Sequence, residues 1–166
     1  MPAVAIAEGA QADLPVACDL WFLAADGPAT DEAVRRAAVD ELGAEMGKLW
    51  QRPPAHLFLA RAEEELVGTV FGKPRRDEPT MGQISMLAVH PEWQRRGIGN
   101  QLMDAVLTAL VEDECTRCRM YVDASDHSVQ TFYEKRGWAF TGQLERSPDT
   151  GAPERVYARD LSREGR

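Results

Sequence analysis

Met86-Leu87-Ala88-Val89-His90-Pro91-Glu92-Trp93 runs directly into Gln94-Arg95-Arg96-Gly97-Ile98-Gly99-Asn100. An apolar stretch ends at a proline, crosses a glycine-punctuated loop and enters a segment where Leu102, Val106 and Leu110 recur every four residues. That recurrence is the buried stripe of an amphipathic helix. A strand, a glycine loop and a helix start in succession form an anion site. The first amides of a helix have no intrahelical acceptor, and the aligned peptide dipoles place about half a positive charge there. A pyrophosphate satisfies both demands. Gly97 and Gly99 allow phosphate oxygens to reach the amides and permit unusual torsions, and Arg95 and Arg96 add charge.

Two other phosphate loops fit less well. No Gly-Lys-Ser or Gly-Lys-Thr occurs in the chain, which removes the Walker-type reading. Gly97-Ile98-Gly99-Asn100-Gln101-Leu102 lacks the third glycine of a dinucleotide fingerprint, and no acidic residue clearly serves a ribose.

Outward from this segment the hydrophobic pattern predicts alternating elements. Upstream, Ala3–Glu8 reads as a first strand, and Asp13 caps a helix presenting Ala17, Leu20, Trp21 and Ala24. A second helix starts at Thr30 with Val34, Ala38, Leu42, Met46 and Leu49 inward, and Pro53-Pro54 stops it. His56–Ala62 and Leu66–Gly72 form a hairpin around Glu63-Glu64, and Gln83–Val89 is a central strand covered on both faces. Downstream, the helix from Ile98 ends in Glu112-Asp113-Glu114, and Cys118, Met120 and Val122 alternate as another strand. Ser128–Arg136 is a short helix closed by Gly137, and strands near 138–144 and 155–161 finish the chain. The expectation is an α/β layer fold with a mixed sheet and helices on both faces.

The 166 residues, 44% hydrophobic, suit one ordinary domain spanning the whole chain, and no linker or repeat divides them. No apolar run is long enough to cross a bilayer, and the amino-terminal residues lack a signal-peptide pattern, so cytoplasmic residence is expected. A net charge of −8 disfavours a nucleic-acid surface and suits a cationic partner such as a protonated amine. Cys115-Thr116-Arg117-Cys118 has metal-site spacing but no completing ligands, so no metal is expected and the thiols read as packing residues.

The loop with its preceding strand resembles the signature of the GNAT family of N-acetyltransferases, Gln/Arg-x-x-Gly-x-Gly/Ala. Asp126-His127-Ser128-Val129-Gln130-Thr131-Phe132-Tyr133-Glu134-Lys135-Arg136-Gly137-Trp138 is similar to that family's later helix. The resemblance covers about Leu57 to Leu144, with Tyr157–Leu161 similar to the closing strand. It implies an acyl-CoA N-acyltransferase fold: a mixed, mostly antiparallel sheet of about six to seven strands, about four helices, and a central strand splayed at a bulge. It also implies acetyl-CoA as cosubstrate, a primary amine as acceptor, and a homodimer formed through the terminal strands.

By the same resemblance, Leu87 offers its amide to the thioester oxygen, while Ala88 and Val89 pair with the pantetheine arm. Gln94, Arg95, Arg96, Gly97, Ile98, Gly99 and Asn100 hold the pyrophosphate, and Tyr133 is the general acid for the departing thiolate. The sequence departs from the pattern at Asp126 and Val129, where Asn and Ala are usual, and at Gln83, where some members carry a catalytic glutamate. Asp126 therefore meets either the cofactor arm or the incoming amine. The general base stays open among His90, His127, Asp123, Asp126 and an ordered water, and Trp21 and Trp50 are read chiefly as packing residues of the amino-terminal helices, the alternative being that one of them walls the acceptor pocket. An acyl-CoA-binding module without catalysis is the alternative function.

Overall fold

The computed structural model describes residues 2–26, 31–147 and 151–161. Among them, seven strands build one open sheet: β1 (Val4–Glu8), β2 (His56–Ala62), β3 (Glu65–Pro74), β4 (Met81–Val89), β5 (Arg117–Asp123), β6 (Ala139–Arg146) and β7 (Pro153–Asp160). Their spatial order is β1-β2-β3-β4-β5-β7-β6, and every neighbouring pair is antiparallel except β4 with β5. Four α-helices accompany them: α1 (Leu14–Asp26), α2 (Glu32–Trp50), α3 (Ile98–Glu112) and α4 (His127–Glu134).

Strand alternation sends side chains into two cores. On one face, Leu57, Leu59, Phe71 and Met86 pack with Leu14, Cys18 and Phe22 of α1 and with Val39 and Met46 of α2. On the other, Ala60, Val67, Val70 and Ile84 meet Leu102, Val106, Leu107 and Leu110 of α3. The four-residue recurrence read from the sequence caught the centre of the α3 stripe, and Met103 and Leu107 widen it.

The amino-terminal helices differ from expectation in detail. Asp13 does not cap a helix: its carboxylate turns back to accept from the Ala10 amide at 2.8 Å, and α1 follows a single 3-10 turn at Gln11–Asp13. The expected start at Thr30 lies outside the described residues, and Asp31 caps α2 by accepting from the Ala33 and Val34 amides. Val34 and Leu49, expected inward, are 63% and 43% exposed. Periodicity identifies a face but not how far a partner extends along it. The 19-residue α2 rests on the 13-residue α1, so about 9 Å of α2 overhangs at 1.5 Å per residue and its ends stay uncovered.

Close approach of α3 sets the glycine positions in β3 and β4. A Cβ on Gly72 would lie 2.5 Å from Val106 Cγ2, and one on Gly82 would lie 2.8 Å from Leu110 Cδ1. Gly72→Ala is expected to cost about 1–3 kcal/mol by overpacking, seen as a lower urea midpoint at unchanged m. Combined with Val106→Ala, which removes the clashing methyl, the two costs should be less than additive.

Candidate active site

The site begins where the sheet comes apart. β4 pairs with β5 only from Met81–Gln83 against Arg117–Arg119, whereas its pairing with β3 continues to Val89. Between Ser85↔Phe71 and Ala88↔Thr69, Met86 and Leu87 together oppose Val70 alone. This is a β-bulge, and Met86 sits in the left-handed region at φ 57°. Leu87 therefore has no register partner on β3, at a point where β5 has already diverged.

A groove of about 600 Å³ opens along the end of β4 and the start of α3, bounded across the gap by α4. Gly97 sits at φ 80°, ψ 6° and gives α3 no side-chain cap. The first helical hydrogen bond is donated by Gln101 to the Gly97 carbonyl at 3.1 Å, so the amides of Ile98, Gly99 and Asn100 lie ahead of the helical ladder, in residues that line the groove. Arg95 also adopts a left-handed torsion, φ 64°, which turns the loop tightly into the helix. Gln94 Nε2 donates to the Val89 carbonyl at 3.2 Å and ties the loop to the strand end. Gly99 has an ordinary torsion, and the nearest atom to a Cβ placed there is Val89 Cγ2 at 3.9 Å. The protein itself would tolerate a side chain at Gly99; only a molecule in the groove would not.

Tyr133 projects from α4 across the gap. Its ring meets Phe132 and Trp138 edge-on, with centroids 5.3 and 6.3 Å away. Burial pushes its phenol up to about 12, with Arg136 opposing and Asp126 adding to the shift. The hydroxyl is therefore protonated throughout the physiological range and can give a proton to a strongly basic leaving group.

Beyond the bulge a second cavity, about 300 Å³, lies between β4, β5 and the α1–α2 pair. Trp21, Met46, Met86 and Met120 make it largely apolar, while Ser85, Tyr121, Glu45 and Glu154 bring polar groups to it. Leu87 and Tyr133 line both the groove and this cavity. Two concave spaces of opposite character thus meet at two residues, Leu87 and Tyr133. The first is basic, with Arg95 and Arg136; the second is acidic.

The model of the Acetyltransferase (GNAT) family matches residues 21–138. The chain belongs to the GNAT acetyltransferase family. Similar curated proteins include N-alpha-acetyltransferase 30 of Xenopus laevis, 32% identical over 87 residues covering 51% of this chain and 32% of that protein. Mycothiol acetyltransferase of Streptomyces scabiei is 33% identical over 125 residues, covering 67% of this chain and 40% of the relative. The chain spans less than half the length of either relative. Among solved structures, the ribosomal-protein-S18-alanine N-acetyltransferase of Escherichia coli superposes with a TM-score of 0.73 at 17% identity, covering 98% of this chain and 97% of that one.

Within this GNAT fold the residues singled out from the sequence separate into groups. Leu87, Ala88, Val89, Gln94, Arg95, Gly97, Ile98, Gly99, Asn100 and Tyr133 all line the groove. Arg96 faces its own turn instead, its guanidinium 4.8 Å from the Trp93 ring centroid and donating to the Glu92 carbonyl at 3.3 Å. Asp126 caps α4 by accepting from the Val129 amide at 3.1 Å. Asp123 accepts from Ser125 Oγ and N at 2.6 and 2.8 Å, which holds its carboxyl below the usual range. His90 Nδ1 accepts from the Glu92 amide at 3.1 Å and His127 opens α4; neither borders the groove or the acidic cavity. Trp21 borders the acidic cavity, and Trp50 packs on Phe71. Cys115 and Cys118 are buried, and no metal-binding cluster occurs among the described residues.

Sequence reasoning missed Arg136, whose Nε donates to Asn100 Oδ1 at 2.7 Å and whose guanidinium stacks 3.4 Å from the Phe132 centroid. It stands beside the recognised Gly137, so the signal was adjacent. Glu45, Tyr121 and Glu154 were also missed, because they come from three separate elements that only the fold brings together. Gly99→Ala should leave the urea midpoint unchanged or slightly raised, since alanine suits a helix better than glycine. The same variant should weaken coenzyme A binding about tenfold or more by calorimetry.

Proposed function

We propose that the chain transfers an acetyl group from acetyl-CoA directly to a primary amine. The observation that carries this reading is the shared border: Leu87 and Tyr133 are common to the basic groove and the acidic cavity. The groove suits coenzyme A, since the Gly97–Asn100 amides and the Arg95 and Arg136 charges meet the pyrophosphate. The pantetheine arm then lies along Ala88 and Val89 as an added strand in the gap left by β5.

The thioester carbonyl falls at the bulge, where the Leu87 amide donates to the oxygen as it gains charge. The acceptor amine, drawn in by the acidic cavity, sheds its ammonium proton to water and attacks the carbonyl carbon. A carbon–nitrogen bond forms, the carbon–sulfur bond breaks, and the departing thiolate takes its proton from Tyr133, which is reprotonated through water as the new amide nitrogen gives up its second proton. The related proteins support the chemistry in name, as acetyltransferases of differing acceptors. A cytoplasmic homodimer completes the reading: β6 is a sheet edge whose Phe140 and Leu144 are 37% and 60% exposed, a surface that a second copy would cover.

Calorimetry with acetyl-CoA, ATP and NAD tests the cofactor, and thiol release with a panel of amines tests transfer. One-site binding of acetyl-CoA alone, followed by amine-dependent release, is expected; preference for a nucleotide would overturn the reading. Binding without release from any amine would leave an acyl-CoA-binding module. Tyr133→Phe should lower kcat by about 10²-fold or more with coenzyme A affinity nearly unchanged. Because the phenol titrates only at about 12, the loss of rate from its deprotonation should be absent from the wild-type profile until the pH approaches that value. Sedimentation equilibrium checks the dimer, and Leu144→Glu should shift it toward monomer.

A further inference from the structure

Across β4 and β5 runs a chain of side chains whose hydrogen-bond directions are forced by chemistry. Arg75 Nε and Nη2 donate to the two Asp77 carboxylate oxygens, each at 3.0 Å, and Arg75 Nη1 donates to Gln83 Oε1 at 3.1 Å. Arg119 Nε donates to the same Gln83 oxygen at 3.0 Å, and Arg119 Nη2 donates to the Tyr121 hydroxyl at 2.9 Å. Arginine has no acceptor atom. The Gln83 amide must therefore face the arginines with its oxygen, and its Nε2 accordingly points to the Ile84 carbonyl. The Tyr121 hydroxyl must receive from Arg119 at 2.9 Å, with Arg75 also facing it, which leaves its own proton to be given elsewhere.

The space on the far side of Tyr121 is the acidic cavity, which it shares with Leu87 and Tyr133. Among the described residues no group accepts that proton. The carboxylate that a glutamate would supply at position 83 is replaced by an amide held between two cations, so this position serves direction and not proton transfer.

Resting on the acetyl-transfer reading above, the geometry points to Tyr121 as a specificity-determining donor and to Arg119 as the positioning residue that aims it. The acceptor is then an amine that also carries a hydrogen-bond-accepting oxygen, with the amine at the Leu87–Tyr133 junction and the oxygen on Tyr121. Glu45 lines the cavity and Arg119 stands behind the Tyr121 hydroxyl, so the field favours the cationic end of the acceptor in the cavity and its oxygen at Tyr121. The substrate class is an amine bearing a carbonyl oxygen, such as an amino amide. A cavity of about 300 Å³ is at the small end of ligand pockets and holds a molecule of that size.

Calorimetric titration of L-alaninamide and of isopropylamine into the protein saturated with coenzyme A tests this. Wild type should bind alaninamide about tenfold more tightly, the worth of one neutral hydrogen bond. Tyr121→Phe should bring the two affinities level. Arg119→Leu, which frees the phenol to turn, should reduce the ratio, and Arg119→Lys, which restores a donor to the hydroxyl, should recover most of it. A variant that merely loosened the cavity would weaken both amines together and leave the ratio standing. Equal affinities in wild type, a ratio that survives Tyr121→Phe, or no saturable binding of either amine would each overturn the inference. Amine-dependent thiol release under the same conditions would still stand for transfer, so a failure here is separable from a failure of that reading.

Discussion

A central strand can hydrogen-bond on both edges only while both neighbours keep its register. β4 keeps β3 to its end but loses β5 after Gln83, and the added residue at Met86–Leu87 bends it away. Everything functional in this molecule depends on that divergence. It opens a gap in the middle of a packed sheet, with strand ends on one side and α4 on the other, and it does so without exposing either core. Ile84 remains 2% exposed and Met86 5% exposed on opposite faces. The strained torsion of Met86 belongs to the same device, because a left-handed residue in mid-strand is what swings the following amide out of the ladder.

The loop after β4 shows how local chemistry and long-range packing share the work. Ile98, Leu102, Val106 and Leu110 bury α3 against β3 and β4 so closely that Gly72 and Gly82 leave no room for a side chain. That packing aims the helix start at the gap. Gly97 at φ 80° then lets the chain enter the helix without a side-chain cap, which keeps the first amides available to an anion. An N-capping serine or aspartate would stabilise α3 by about 1 kcal/mol and would occupy one of those amides. The absence of a cap at α3 contrasts with Asp31 on α2 and Asp126 on α4, each of which caps its helix.

The order of elements and the basic groove were legible in the sequence because they are written in contiguous residues. Met86 to Asn100 contains the strand end, the turn and the helix start within one segment, and each obeys a local rule. The bulge and the Leu87 position were reached through family resemblance, since nothing in Ser85-Met86-Leu87-Ala88 alone announces an extra residue. The ends of α2 were misjudged because exposure there depends on the length of α1, a property of another segment. Of the acidic cavity only Trp21 was weighed from the sequence, as one alternative to packing: Glu45, Tyr121 and Glu154 are scattered over more than a hundred positions and share no spacing rule. Arg96 looked equal to Arg95 in sequence, yet Trp93 and the Glu92 carbonyl retain it.

The net charge of −8 has a sharper meaning once it is resolved in space. Coenzyme A is polyanionic, so an acidic protein must concentrate cations where it binds. On the proposed reading Arg95 and Arg136 provide them, with Arg136 held by Asn100 Oδ1, the Phe132 carbonyl and the Phe132 ring. An amine is cationic in water, and the opposite cavity carries Glu45 and Glu154. The two potentials meet at Leu87 and Tyr133, neither of which is charged at neutral pH. A neutral junction between fields of opposite sign suits a reaction that joins an anionic donor to a cationic acceptor. On the proposed reading each reactant is drawn from its own side, and neither field stabilises the other's ground state at the point of transfer. The buried phenol fits that setting, because a group that resists ionisation up to about 12 adds no charge of its own at the junction.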